Sequence, residues 1–296
     1  MRIPYFPGCT LYSRAKNLDD STRAALAALD ITLAELPQWT CCGVAFPLAQ
    51  DNYIGMVAAA RILANAAKAG DGRLVTVCSF CYNVLKRVNY AIKNNPEAKE
   101  KLNNYLEENY QGETGVVHPL EVIRDEVGLK NIASKAGGRL KGLKVACYYG
   151  CMLVRPAAEV AFGDPENPVL MEELMAALGA DPVDFPWKTK CCGSYQLLNA
   201  SDLVTDRVRD IVDAALARGA QAIVTSCPLC QFNLDWGQEK LVPQNNGRPK
   251  IPVLYFTQLL GAALELPAEK LGFGQHYVDP RPLLSVVGRQ MSDVRR

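Results

Sequence analysis

The sequence predicts an α/β fold of two pseudo-twofold-related, Rossmann-like halves, each a mainly parallel sheet flanked by helices. Three observations carry this. Short β-rich runs alternate with helical patterns along the whole chain, the pattern of βα units. The strand-like runs are apolar almost throughout rather than alternating, as in a sheet covered on both faces. The order of elements and cysteines then repeats about 150 residues later.

In the first half, residues 2–7, 31–36, 73–78 and 115–117 read as strands, with helices at 19–30, 51–69, 81–90 and 97–109. Asp51 is the expected N-cap of the second helix and Gly70 its stop. In the second half, strands are expected at 143–149, 182–185, 222–226 and 252–256, with helices at 168–178, 202–218 and 232–239. The stretch Gly137-Gly138-Arg139-Leu140-Lys141-Gly142 has the composition of a flexible linker and divides the chain into 1–138 and 139–296. Neither half opens on the G-x-G-x-x-G phosphate fingerprint, so nucleotide binding is not indicated.

The repeat is sharpest at the cysteines. Tyr5-Phe6-Pro7-Gly8-Cys9 is answered by Cys147-Tyr148-Tyr149-Gly150-Cys151, and Cys41-Cys42-Gly43 by Cys191-Cys192-Gly193. Cys78-Ser79-Phe80-Cys81 is answered by Cys227-Pro228-Leu229-Cys230. Each block ends a predicted strand or opens the next helix, which is the carboxyl edge where open α/β sheets bind ligands. Cys78 and Cys81, at i and i+3, reach one side of a helix's first turn, where amides and the positive end of the dipole favour thiolate charge. The adjacent pair Cys41 and Cys42 needs a turn to converge, since strand neighbours point to opposite faces.

An odd total of 11 cysteines suits a disulfide framework poorly. Packing alone does not explain five cysteines falling twice in one order. Zinc uses four tetrahedral ligands where each half offers five, and a four-cysteine cubane also leaves one over. The donor set therefore points to an unusual soft-metal cluster. The ungapped repeat sets Cys147 opposite Tyr5, so Cys147 is the spare cysteine and is expected to pack in a strand.

The doubled C…CCG…C-x-x-C arrangement, together with Pro7-Gly8-Cys9, Gly150-Cys151 and the C-terminal Gln275-His276-Tyr277-Val278, resembles the cysteine-rich CCG domain family. Over nearly its full length the chain is similar to the B subunit of heterodisulfide reductase, with wording around Tyr5–Tyr12 closer to bacterial relatives. The resemblance implies two noncubane [4Fe-4S] clusters. Cys9, Cys41, Cys42, Cys78 and Cys81 would hold one, and Cys151, Cys191, Cys192, Cys227 and Cys230 the other. It implies a disulfide substrate split between the clusters. It also implies electrons from a ferredoxin-like C subunit, with a flavin-containing A subunit upstream. Related CCG proteins serve as electron relays in hydroxy-acid or quinone-linked oxidoreductases. Many of those carry a C-x2-C-x2-C-x3-C motif of their own, which this chain lacks. A thioredoxin-like dithiol enzyme is a further alternative, but it leaves six of the repeated cysteines without a role.

Other residues admit two readings each. His118, at the same sheet edge as the cysteines, is either a proton donor to a product thiolate or a cap beside Pro119. His276 lies in the tail and reads as structural. Arg14 and Arg155 follow the first cysteine of each half and either balance cluster charge or pair at the surface. Tyr12, Phe80, Tyr82 and Tyr195 either wall a substrate gap or pack in the core.

A formal net charge of +1 gives no footprint for nucleic acid, and 49% hydrophobic with 21% charged residues is the balance of a soluble globular protein. No apolar run approaches the roughly 18 residues needed to span a bilayer. With no leader pattern evident, the expected location is the cytoplasm.

Overall fold

The computed structural model describes residues 1–43, 52–241 and 249–285. The first half runs β1 (Arg2–Tyr5), α1 (Cys9–Tyr12), α2 (Lys16–Ala27), β2 (Thr32–Glu35), α3 (Tyr53–Lys68), β3 (Arg73–Val75), α4 (Ser79–Asn94), α5 (Pro96–Leu106), β4 (Gly115–Val117), α6 (Pro119–Val122) and, after a π turn at Ile123–Val127, α7 (Leu129–Ala136). The second runs β5 (Lys144–Tyr148), α8 (Ala157–Val160), α9 (Leu170–Ala177), β6 (Asp181–Pro182), α10 (Ser201–Ala217), β7 (Ala222–Thr225), α11 (Pro228–Lys240), β8 (Val253–Tyr255) and α12 (Phe256–Ala263).

Each half builds a four-stranded sheet, in the orders β2-β1-β3-β4 and β6-β5-β7-β8. Every pairing is parallel. Strands β1, β5 and β7 are buried on both faces, which explains their unbroken apolar sequence. The third strand of each sheet feeds α4 or α11 at the carboxyl edge, and this sets where the cysteines meet.

Several boundaries differ from the sequence expectation for identifiable reasons. Helix α3 is capped by Asn52, whose side chain accepts from Gly55 N at 2.9 Å; the expected cap, Asp51, lies outside the described residues. Strand β6 is short: Asp181 N and Val183 N donate to Leu143 O and Val145 O at 2.8 Å, and Pro182 between them turns its nitrogen to the open edge, where proline is tolerated. Helix α11 starts at Pro228 rather than 232, since proline is at ease in a first helical turn. Helix α12 is not expected from the sequence because Phe256–Ala263 is almost uniformly apolar, and a short apolar run carries no helical period.

The halves interlock. Helix α12 packs on α2 of the first half, and α7 packs on α9 of the second. Ser21 and Thr257 share a buried hydrogen bond of 2.7 Å at the first of these contacts. The stretch expected to be a flexible linker is pinned. Leu140 N donates to Leu178 O at 3.1 Å, and Gly138 lies so close to Gly179 that a Cβ on Gly179 would come within 2.7 Å of the Gly138 Cα. Arg139 Nη1 donates to Ala136 O and Ala263 O, tying together the ends of both exchanged helices.

Candidate metal centre

The loop after β1 turns sharply at Gly8 (φ 78°), and the loop after β5 turns at Gly150 (φ 67°). A Cβ on Gly8 would sit 2.8 Å from Cys81 Sγ, and one on Gly150 3.0 Å from Cys230 Sγ. Glycine is thus required twice over, for its positive φ and for the close approach of backbone to thiol. These turns lay Gly8 and Gly150, the neighbours of Cys9 and Cys151, against the cysteines in the first turns of α4 and α11.

The double-cysteine turns are held from below. In the first half Trp39 lies edge-on to both Phe6 (5.5 Å between centroids) and Tyr12 (5.6 Å), and its indole N–H donates to Glu35 at 3.1 Å. In the second, Tyr149 N and Gly150 N donate to Lys188 O, the Tyr148 hydroxyl to Lys190 O, and the Arg155 guanidinium to Thr189 O. Arg155 therefore fixes the turn that presents Cys191, whereas Arg14 is exposed.

The sulfurs then meet in pairs. Cys9 and Cys41 lie 3.5 Å apart, Cys42 and Cys81 3.5 Å, and Cys192 and Cys230 3.7 Å. Cys151 is hydrogen-bonded to Cys191. Cys78 and Cys227 are the N-caps of α4 and α11, and Cys230 N donates to Cys227 Sγ at 3.4 Å. Hydrogen bonds to Cys42 and Cys78, with burial, push the Cys81 thiol up; Cys192 and Cys227 do the same to Cys230. The same bonds lower Cys191, to about 6, and Cys192, so each of these sulfur pairs gives up one proton readily and the second, on Cys151 or Cys230, only with cationic charge nearby. Cys147 stands apart, wholly buried in β5, its thiol pushed up by burial and by Glu172.

The two sets adjoin. Ser79, next to Cys78, shares a 2.9 Å hydrogen bond with Ser226, next to Cys227. The Tyr195 phenol is pushed up by burial, by Cys151, Cys227 and Cys191 of one set, and by Cys42 of the other. Its ring lies 5.2 Å from Phe80, which sits between Cys78 and Cys81. Tyr255, wholly buried, is pushed up by burial and then by Cys227 and Cys78.

Among the described residues, no three His, Cys, Asp or Glu side chains gather around the position of a single ion. An all-sulfur set of five, seated on glycine turns and a helix N-terminus, fits a soft, multi-iron sulfide cluster better than one zinc ion.

This chain belongs to the CCG cysteine-rich domain family. The family matches at residues 3–86 and again at 145–235, spanning both halves. The CCG chain is 34% identical over 282 residues to the 8-methylmenaquinol:fumarate reductase membrane anchor subunit of Wolinella succinogenes, covering 94% of this chain and 98% of that one. It is 31% identical over 289 residues to the B subunit of the Ferredoxin/F(420)H(2)-dependent CoB-CoM heterodisulfide reductase of Methanosarcina acetivorans, covering 94% of each. The fold matches a hypothetical protein from Helicobacter pylori with a TM-score of 0.71 at 14% identity, over 93% of this chain and 51% of that one. Among the described residues no helix is long and apolar enough to cross a membrane.

His118 is wholly buried in this CCG protein, and both ring nitrogens are engaged. Nδ1 accepts from Leu120 N at 3.3 Å, which leaves Nε2–H to donate to Val77 O at 3.0 Å. With Glu121 accepting from His118 N it forms the capping box of α6. Burial brings its pKa down to about 3. This is the capping role of the two open from the sequence. His276, also buried, lies between Gln231 and Gln258 and is lowered to about 4 by burial. Three contributors are not singled out by the sequence: Ser79, Ser226 and Asn83. The repeat carries no signal for them, because their twin positions hold other residue types.

Proposed function

We propose that this chain is the disulfide-cleaving subunit of a heterodisulfide-reductase-type complex. Cys9, Cys41, Cys42, Cys78 and Cys81 would hold one noncubane iron–sulfur cluster, and Cys151, Cys191, Cys192, Cys227 and Cys230 the other. The observation that supports this reading is the Ser79–Ser226 hydrogen bond, which joins the neighbours of Cys78 and Cys227 across the two halves.

Iron–sulfur clusters supply one-electron redox chemistry, and cleaving a disulfide takes two electrons and two protons to give two thiols. Two sets flanking one gap would suit that stoichiometry. In this reading the protein's own part is to line the space between the sets. Phe80 and Tyr195 form an aromatic wall between the sets, and Tyr195 is 49% exposed, so the wall is reached from solvent. With His118 sealed beneath the sheet edge, protons for the product thiolates come in this reading from the solvent side of the gap. The electron donor would be a ferredoxin-like C subunit, fed by a flavin-containing A subunit, in the cytoplasm.

A second reading, an electron relay in a quinone-linked oxidoreductase, is favoured by the 34% identity to the fumarate reductase subunit. One experiment separates the two. The anaerobically reconstituted chain, supplied with reduced methyl viologen, is assayed for thiol release from a panel of small disulfides. Release of two thiols for each two electrons consumed supports cleavage. Clusters that reduce and reoxidise with a menaquinone analogue but release no thiol from any disulfide support the relay.

A further inference from the structure

Helix α4 carries a polar stripe. Ser79, Asn83 and Arg87 fall four residues apart, on one helix face. All three reach into the other half. Ser79 Oγ meets Ser226 Oγ at 2.9 Å, and Arg87 Nε donates to Glu159 at 2.7 Å. Between them, Asn83 Nδ2 donates to two backbone carbonyls at once, Met152 O at 2.7 Å and Arg155 O at 2.6 Å. Those carbonyls bracket the turn that begins at Cys151. Asn83 is wholly buried and, among the described residues, its Oδ1 has no partner, so both donor hydrogens of its amide are spent on this turn.

Among the described residues the grip on the turn of the first cysteine runs one way. Helices α4 and α11 start in the same register from Cys78 and Cys227, so the twins of Ser79, Asn83 and Arg87 are Pro228, Phe232 and Trp236. Phe232 and Trp236 stack on each other at 5.4 Å, and Phe232 is 39% exposed. The Cys9 turn is instead held within its own half, by Ser13 Oγ on Cys9 O and by Ala15 N on Thr10 O.

We infer that Asn83 is a positioning residue for Cys151, so that the first half completes the turn of Cys151 while the turn of Cys9 is held by its own half. Freeing two carbonyls in a buried turn costs the turn its definition, and Cys151 moves with it. Cys9 does not. The inference rests on the cluster reading for its consequence, that the second centre is built on the first and the first fills without it.

The test is Asn83→Ala in the full chain, read in two ways. In metal-free, reduced protein, iodoacetamide alkylation followed by mass spectrometry should show Cys151 reacting about tenfold faster, as expected for local opening, with Cys9 unchanged. In reconstituted protein, iron and sulfide should fall toward half, with the paramagnetic signature of the first set retained. Arg87→Ala, which removes no wholly buried group, should give the same selectivity at Cys151 in smaller measure and stands in if Asn83→Ala does not fold. Phe232→Ala, at the twin position, should leave both sets as they are. Equal acceleration at Cys9 and Cys151, joint loss of both centres, or no change at Cys151 would overturn the inference. A wild-type chain that binds no iron would remove the cluster reading and leave the alkylation result to stand by itself.

Discussion

The hydroxyls of Ser79 and Ser226 lie 2.9 Å apart, joining residues that each adjoin a cysteine, Cys78 in one half and Cys227 in the other. Both serines are wholly buried, so this contact is shielded from competing water. It brings the N-terminal ends of α4 and α11 together at the pseudo-dyad, and with them the two sets of thiols.

If each set holds a cluster, their paramagnetic states will interact. We expect a split or broadened resonance when both centres are reduced by one electron, and its loss when Cys151→Ser removes one. Two independent, unsplit signals in the fully loaded protein would place the centres too far apart for joint cleavage.

Metal analysis of anaerobically prepared protein should find iron and acid-labile sulfide in about equal amounts, enough for two clusters. Stoichiometric zinc without iron would remove the proposal.

Cys147→Ser should leave iron and sulfide content unchanged, because Cys147 is buried in β5 away from the paired sulfurs. Placing a hydroxyl there should still lower stability by about 1–3 kcal/mol, visible as a drop in Tm. Cys151→Ser should instead lose the second centre with a smaller change in the metal-free fold.

Gly8→Ala should selectively damage the first centre and Gly150→Ala the second. A backbone held at positive φ costs a residue with a Cβ on the order of 1–3 kcal/mol, and Gly8 (φ 78°, ψ 164°) lies in a region that is essentially glycine's alone. The added carbon would also sit 2.8 Å from Cys81 Sγ or 3.0 Å from Cys230 Sγ, closer than van der Waals contact. Chemical denaturation of the metal-free variants, with iron counted after reconstitution, separates the two effects. Equal iron loss from both centres in either variant would contradict the assignment.

His118 also makes a pH prediction. Burial lowers its pKa to about 3, against about 6.5 in the unfolded chain, so below pH 6.5 the unfolded state binds the extra proton. Stability is therefore full above about pH 6.5 and falls as the pH drops toward 3, by on the order of a few kcal/mol in all. His276, lowered to about 4, acts in the same sense, while Asp235, raised to about 6 by burial, acts in the opposite one. Comparing denaturation midpoints of the wild type and His118→Gln between pH 4 and 7 isolates the contribution. A slope unchanged by the substitution would show that His118 is not held neutral.

Much of this molecule is local, and the sequence alone determined it. Strand character and helical period depend on neighbours along the chain, so the α/β class and the two parallel sheets were legible. So were the matching cysteine blocks, because a duplicated sequence displays its own alignment, and the register that sets Cys147 opposite Tyr5 needs no coordinates. What the tertiary structure decided lies in contacts between residues far apart in sequence. Helices α7 and α12 each pack on the opposite half, and nothing in their own residues names that neighbour. Asn83 is an unremarked polar residue in a helix until Met152 and Arg155 arrive beside it. His118 had two chemistries open to it at the sheet edge. Its dry surroundings, with Val77 O and Leu120 N at its two nitrogens, make it a neutral cap, because desolvation is a property of the folded core and not of the residue.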